Sequence, residues 1–159
     1  MEEYHRSVLL KEAVDALNVV ADCWYLDLTL GDGGHSLEII KQGGNVVGID
    51  VDPQALERAK GRLVEFEKLG RLILINGNFR EIKNLISQTE LKDRKFGGAI
   101  FDLGVSSLQL NTPERGFSFA KVGPLDMRMD PKLEVTALDL IKTLSRKELY
   151  ELFKSLGEE

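Results

Sequence analysis

Short apolar runs alternate with longer segments of helical periodicity over the first two-thirds of the chain. The runs predict four β-strands, at residues 24–28, 45–49, 72–75 and 98–101. The other segments place apolar residues every three or four positions, and they predict helices over 8–17, 36–42, 53–66 and 80–86. Alternation of this kind predicts an α/β fold with a parallel sheet and right-handed crossovers.

The pattern changes after the fourth predicted strand. Residues 104–131 contain glycine, serine, proline and asparagine with few periodic apolar positions, which is typical of a long functional loop. Helical periodicity returns over 136–143 and 146–156, and Ser145 is placed to cap the second of these helices. These last helices do not fit the sheet, so we interpret them as the beginning of a separate helical unit.

The composition agrees with one compact domain and part of a second. The 159 residues are 43% hydrophobic and 30% charged, which is ordinary for a globular chain. We predict a ligand-binding α/β core over 1–110, followed by a loop and the start of the helical unit over 111–159. The net charge of −5 argues against a generally basic surface, although it leaves room for a local cationic strip.

The cysteine content and the N-terminus bear on the location of the protein. Cys23 is the only cysteine, so a disulfide framework and a cysteine-based metal cluster are excluded. No apolar run approaches the roughly 20 residues that span a bilayer. The acidic N-terminus has no apolar signal core. We therefore expect a cytoplasmic protein without a membrane segment, and we expect no metal site because zinc-ligand spacing is lacking.

A glycine-rich turn, Gly31-Asp32-Gly33-Gly34, follows the first predicted strand directly. Glycines between a strand and a helix let the backbone approach a ligand and direct amide N–H groups toward it. Ligands of α/β folds bind outside the strand ends at such a point. The alternative is a tight turn without a ligand. The turn departs from the dinucleotide pattern G-x-G-x-x-G because Ser36 occupies the last position.

Two more candidates follow the second and third predicted strands. Asp50 is placed to accept both ribose hydroxyls of an adenosine ligand. A carboxylate here could instead cap the helix that opens at Pro53, and we assign that capping role to Asp52. Phe79 can stack on adenine, although alone it would be interpreted as a core residue. Together these positions predict adenosine binding.

Polar residues also follow the fourth predicted strand, which we expect to lie beside the first. They offer donors and acceptors where a substrate amine would arrive, and they are Asp102, Ser106, Ser107 and Gln109. Asp102 could otherwise be a turn residue, and the two serines could cap a helix. Position alone leaves both interpretations open.

The loop after this segment carries two arginines and two aromatic residues. Arg115 and Arg128 can contact phosphate, and Phe117 or Phe119 can stack on a base. The alternative is a loop in which the arginines pair with the acidic residues nearby, Asp126 and Asp130. Both interpretations stay open.

Taken together, these motifs resemble one family, the small-subunit ribosomal RNA cytosine-N4 methyltransferases, also called RsmH or MraW. The matching segments run along almost the whole chain, at 5–10, 31–36, 48–53, 77–79, 102–107, 115–119 and 124–130. The last two are the most specific, because chance does not produce both Arg-Gly-Phe-Ser-Phe and Pro-Leu-Asp-Met-Arg-Met-Asp in this order.

The resemblance implies a Rossmann-like methyltransferase that uses S-adenosylmethionine and methylates N4 of a cytidine near the decoding centre. It implies cofactor contacts at Gly33, Gly34, His35, Asp50, Phe79, Asp102 and Gln109. Catalytic candidates are Asp102 and Ser106, and substrate candidates are Arg115, Phe117 and Arg128. The implied partner is small-subunit ribosomal RNA or the ribosomal subunit itself.

The sequence departs from related patterns at several points. Thr29 stands where the general methyltransferase motif has its first glycine, and Leu108 where the family commonly has proline. The Asp-Pro-Pro-Tyr-like motif of many amine methyltransferases is lacking after the fourth strand. Family members are considerably longer, with a helical insert and a return to the sheet. We therefore expect this chain to be a fragment that lacks the later strands.

The predicted reaction is direct in-line transfer of the sulfonium methyl group to the cytidine amine. The protein mainly aligns donor and acceptor and excludes water. Cys23 precedes the first strand, which disfavours a covalent cysteine route. Two other interpretations are an NAD-dependent oxidoreductase that uses the same turn and Asp50, and a truncated, non-catalytic nucleotide-binding module.

Overall fold

The computed structural model describes residues 7–157. The chain divides into two compact units, with the division between Ser106 and Ser107. The described part of the first unit contains, in chain order, α1 (Leu10–Ala16), β1 (Trp24–Asp27), α2 (Gly34–Lys41), β2 (Asn45–Asp50), α3 (Pro53–Lys68), β3 (Leu72–Asn76), α4 (Ile82–Ser87) and β4 (Phe96–Ile100). That of the second contains α5 (Ser107–Asn111), α6 (Ala137–Thr143) and α7 (Arg146–Leu156).

The four strands form one parallel sheet in the order β3-β2-β1-β4. β1 is central, because Asp27 at its end pairs with Gly48 of β2 on one side and with Ile100 of β4 on the other. This is the order of the first four strands in doubly wound nucleotide-binding folds, where the direction of winding reverses beside β1. The predicted α/β class with a Rossmann-like parallel sheet is confirmed.

Helices cover both faces of the sheet. Val46 and Val47 are neighbours on β2 and are both fully buried, but they belong to two separate apolar clusters. Successive side chains of a strand point to opposite faces, so burial of both requires cover on each side. The cluster around Val46 includes residues of α1, α2 and α3, and the cluster around Val47 includes Ile86 of α4.

The local sequence explains where α3 and α4 begin. The Asp52 side chain accepts a hydrogen bond from the Gln54 amide at 3.0 Å, and Pro53 occupies the first turn of α3, so the predicted cap is confirmed. The predicted helix over 80–86 begins instead as a 3₁₀ turn at Phe79–Glu81. Asn78 starts that turn by accepting the Arg80 amide at 3.0 Å.

The second unit departs from the sequence interpretation at its beginning. The predicted loop over 104–131 is wrong in part, because it contains α5 and a 3₁₀ turn at Pro113–Arg115. α7 has the predicted bounds, and the Ser145 cap is confirmed as a capping box with Glu148. None of the helices in residues 7–157 is both long and apolar enough to cross a membrane.

Candidate functional site

The glycine turn connects the central strand to α2 in a backbone conformation that requires glycine. Gly33 has a φ of +73° and forms the N-cap of α2, and its amide donates to the Leu30 carbonyl at 2.8 Å. A Cβ at position 33 would lie 2.7 Å from Cδ1 of Leu63. The turn is therefore held against α3, and α2 begins at the carboxyl edge of the sheet.

Asp50 lies at the end of β2, and its carboxylate bonds directly to the glycine turn. Oδ2 accepts a hydrogen bond from the Gly31 amide and Oδ1 accepts one from the Asp52 amide, each with a nitrogen–oxygen distance of 2.9 Å. Burial raises the pKa of this carboxyl above its ordinary value. A carboxylate offers about four lone-pair sites, so both oxygens keep acceptor capacity for hydroxyl groups of a ligand.

A hydrogen bond also joins the loops that follow β1 and β4. The Asp102 amide donates to Oγ1 of Thr29 at 2.7 Å, while the Asp102 side chain is exposed. Thr29 stands where the general methyltransferase motif has glycine, which has no hydroxyl for this bond. The departure from the motif thus has a structural role, which the sequence analysis missed.

Two aromatic rings connect the loop after β3 with the end of β4. The rings of Phe79 and Phe101 meet edge to face, with centroids 5.7 Å apart and an interplanar angle of 88°. Phe79 is half-buried, whereas Phe101 is 52% exposed. With the Gly31–Asp50 and Thr29–Asp102 bonds, this contact brings the predicted residues after all four strands to one edge of the sheet.

A buried carboxylate lies beneath the turn. Asp27, the last residue of β1, is 1% exposed, and Oγ of Ser36 donates to its Oδ2 at 2.7 Å. Burial raises the pKa of the Asp27 carboxyl, and the Ser36 hydroxyl opposes that effect. Ser36 stands where the dinucleotide pattern has its last glycine. Its hydroxyl bonds α2 to the end of β1. A serine in this position gave no recognisable signal in the sequence.

The first turn of α2 lies against Ser7 and Val8, which precede α1. Nε2 of His35 lies 3.2 Å from the Val8 carbonyl, and the ring is 5% exposed. A Cβ at Gly34 would collide with Oγ of Ser7. The side chain of His35 is thus engaged with Val8. Its main-chain N–H, in the first turn of α2, is the group we retain as the candidate for ligand contact.

Comparison with known proteins agrees with the motifs that this geometry brings together. The model of the MraW methylase family matches residues 2–159. The chain belongs to the MraW methylase family.

Its relatives include curated proteins from several bacteria. Ribosomal RNA small subunit methyltransferase H of Halothermothrix orenii is 46% identical over 98% of this chain and 49% of its own length. The protein of the same name from Clostridium botulinum (strain Loch Maree / Type A3) is 43% identical over 100% of this chain and 51% of its own length. The MraW-family chain therefore spans about half the length of the curated relatives it matches.

Solved structures include an rRNA methylase from Streptococcus thermophilus. It is 25% identical to this MraW-family chain, with a TM-score of 0.47. The match covers 62% of this chain and 56% of that one.

The arginines of the second unit of this MraW-family chain are engaged within their own loop. Arg128 forms a forked ion pair with Asp126, with Nε–Oδ1 at 2.8 Å and Nη2–Oδ2 at 2.7 Å. This pair lowers the pKa of Asp126 to about 2. Nη2 of Arg115 donates to the carbonyls of Arg128 and Met129, at 2.9 and 2.8 Å. Pairing within the loop is thus confirmed for Arg128, and phosphate contact by either arginine stays a prediction.

The remaining predicted residues lie at the division between the units or beyond it. Ser106 is the last residue of the first unit and is half-buried. Gln109 is buried in α5, and Phe117 is half-buried, both in the second unit. Their contribution to cofactor or substrate binding stays a prediction. Of the family motifs, the segment 5–10 lies partly outside the described residues.

Proposed function

We propose that this chain carries the S-adenosylmethionine site of an enzyme that methylates N4 of a cytidine in small-subunit ribosomal RNA. The supporting observation is the set of three contacts that join the loops after the four parallel strands, in a chain of the MraW methylase family. The names of the curated relatives support the ribosomal RNA substrate. The proposed target position follows from the resemblance of the motifs.

The residues at this edge of the sheet fit the chemistry of the cofactor. Asp50 keeps acceptor capacity on both carboxylate oxygens, as the ribose diol requires. Phe79 offers an aromatic ring for adenine. The first turn of α2 carries backbone N–H groups and the positive end of a helix dipole, which suit the carboxylate of the methionine part. We assign Gly33, Gly34 and the main chain of His35 to this last role.

The chain contributes positioning to the reaction. S-adenosylmethionine, when bound, supplies a methyl group on a sulfonium, which is already a good leaving group. Asp102, whose amide is fixed to Thr29, orients the cofactor or the incoming amine with its exposed carboxylate. We also propose Ser106 as a catalytic residue and Gln109 as a cofactor contact, as the resemblance implies. Alignment of donor and acceptor is a large source of rate increase in such a transfer.

We assign substrate recognition to residues 111–159 and cofactor binding to residues 1–110. Phe117 is proposed to stack on a base, and Arg115 and Arg128 to face the RNA backbone. The proposed partner is small-subunit ribosomal RNA or the assembled subunit. An enzyme with this substrate would act in the bacterial cytoplasm.

Cofactor binding is the first test of this proposal. Titration calorimetry should detect binding of S-adenosylmethionine and S-adenosylhomocysteine and no binding of NAD. Binding of NAD alone would contradict the proposal and favour an oxidoreductase.

Nucleoside analysis tests the reaction. Small ribosomal subunits that lack the modification are incubated with the protein and methyl-labelled cofactor. Their RNA is then digested to nucleosides, which are identified by mass spectrometry. The expected product is N4-methylcytidine. Label in a different nucleoside would contradict the assigned target, and cofactor binding without any transfer would favour the non-catalytic module.

A further inference from the structure

Two arginines of α3 hold the second residue of the glycine turn. Arg58 forms a forked ion pair with Asp32, with Nε–Oδ1 at 2.8 Å and Nη2–Oδ2 at 3.1 Å. Nη1 of Arg62 donates to the main-chain carbonyl of Asp32 at 3.1 Å. Residues four positions apart share one face of a helix, so the two guanidinium groups reach the same residue. Asp32 is thereby fixed through its side chain and its main chain together.

This contact is more constrained than an ordinary surface ion pair. The Arg58 and Asp32 side chains are only 25% and 10% exposed. Solvent-exposed pairs contribute little, whereas a forked and partly buried pair has fixed geometry and stronger hydrogen bonds. Lysine could keep the charge at position 58 but could not reproduce the planar fork.

The neighbouring residue of the turn is held from another direction. The Gly31 amide bonds to Asp50, the last residue of β2, while Asp32 bonds to α3, which follows β2 directly. Two consecutive residues of the turn are therefore fixed by one continuous segment of chain. That segment also carries the carboxylate assigned to the ribose.

We propose that Arg58 is a positioning residue for the cofactor site, supported by Arg62. The inference rests on the proposed function, because it concerns the same site. The fork on Asp32 fixes the path of the backbone into Gly33 and the first turn of α2. It thereby sets where the turn lies relative to Asp50. Loss of the fork relaxes the turn and weakens cofactor binding, although Arg58 itself does not touch the cofactor.

The test compares Arg58→Lys with a matched control, Lys60→Ala, on the exposed side of the same helix. The probe is S-adenosylhomocysteine, titrated by calorimetry at a temperature at which circular dichroism shows every variant to be folded. Arg58→Lys should raise the Kd about tenfold, as expected for the loss of about one charge-assisted hydrogen bond. Lys60→Ala should leave the Kd unchanged.

Asp32→Asn provides a second route to the same measurement, in case Arg58→Lys fails to fold. It should raise the Kd as much as Arg58→Lys does. The double variant should be no worse than either single one, because both remove the same fork. In methyl transfer, the KM for the cofactor should rise while kcat at saturating cofactor stays unchanged.

The outcomes separate this inference from the proposed function. If the unmodified chain does not bind S-adenosylhomocysteine, the proposed function fails and the inference fails with it. If the unmodified chain binds, and the folded Arg58→Lys or Asp32→Asn variant binds equally tightly with only a lower Tm, the fork merely stabilises the fold. That second result overturns the role of Arg58 alone.

Discussion

The Gly31 amide donates a hydrogen bond to the Asp50 carboxylate across a separation of nineteen positions in the chain. A group assigned to the ligand is therefore also part of the framework that shapes the turn. Substitution of Asp50 therefore affects ligand binding and the shape of the glycine turn, and different replacements can separate these two effects.

Replacement of Asp50 by Ala should raise the Kd for S-adenosylmethionine by at least about tenfold, since hydrogen bonds to a charged group contribute about 1.5–3 kcal/mol each. Asp50→Asn keeps an acceptor oxygen and should have an intermediate effect. Calorimetry measures both, with Asp93→Ala at an exposed position as the control. Unchanged affinity in Asp50→Ala would refute the ribose assignment.

Replacement of Thr29 by Val removes the acceptor of the Asp102 amide while nearly keeping the shape of the side chain. We expect a loss of about 1 kcal/mol in the free energy of unfolding, together with slower methyl transfer. Thr29→Ser keeps the hydroxyl and should behave like the unmodified chain in urea denaturation and in the transfer assay. An unchanged Thr29→Val variant would contradict this role of the hydroxyl, and a loss confined to Thr29→Ser would assign the effect to the methyl group.

Replacement of Asp102 by Ala should lower the rate of methyl transfer to small-subunit RNA by about tenfold or more, because alignment of the reacting groups is lost. The exposed side chain makes a large effect on stability unexpected. The initial rate with labelled cofactor is the measurement, and the unfolding curve is the control. Full transfer by Asp102→Ala would remove its proposed role.

Replacement of Phe101 by Leu should weaken S-adenosylhomocysteine binding about two- to tenfold, because an edge-to-face pair contributes about 0.5–1.5 kcal/mol. Phe101 orients the ring of Phe79, so Phe101→Tyr, which keeps the ring, should retain affinity. Leu103→Ala, at an exposed position near the same strand end, serves as the control. If Phe101→Leu binds as well as the control variant, Phe79 needs no support from its neighbour.

Replacement of Asp126 by Asn should destabilise the protein at neutral pH, because the forked pair with Arg128 is lost. The pKa of Asp126 is lowered from 3.8 to about 2 in the folded state. The contribution of Asp126 to the free energy of unfolding is therefore fully present above pH 3.8 and is lost as the pH falls through about 2. Urea denaturation between pH 7 and pH 2 should show a constant difference in the free energy of unfolding between variant and unmodified chain down to about pH 3.8, and a smaller difference at lower pH.

The quantity to compare is the difference in the free energy of unfolding between Asp126→Asn and the unmodified chain, because other carboxyl groups change the stability of both proteins with pH in the opposite direction. The pKa values of Asp27 and Asp50 are raised in the folded state. Their contribution to the free energy of unfolding is therefore greatest below pH 3.8 and falls as the pH rises through their folded-state pKa values. Asp93→Asn provides the matched control at an exposed position. A difference that stays constant down to pH 2 would contradict the lowered pKa of Asp126.

The sheet and the helix caps could be predicted from the sequence because their signals are local. Apolar runs located the strands within a few residues, and Asp52 and Ser145 cap the helices assigned to them. β4 began earlier than predicted and ended before Phe101, because its register with β1 runs from Phe96 to Ile100. That difference leaves Phe101 outside the ladder, beside Phe79.

The contacts that shape the site could not be predicted in the same way. Thr29 and Asp102 are 73 positions apart, and His35 and Val8 are 27 positions apart. Both contacts join a side chain to a distant backbone group, and neither leaves a periodic signal. The resemblance pointed to His35 as a ligand residue, but it did not show that the side chain is engaged elsewhere.

The absence of a side chain at Gly34 has a consequence for work with this protein. Ser7 occupies the space that a Cβ would need, so the stretch before α1 closes one side of the first turn of α2. Removal of Ser7 would therefore open that side of the turn to water.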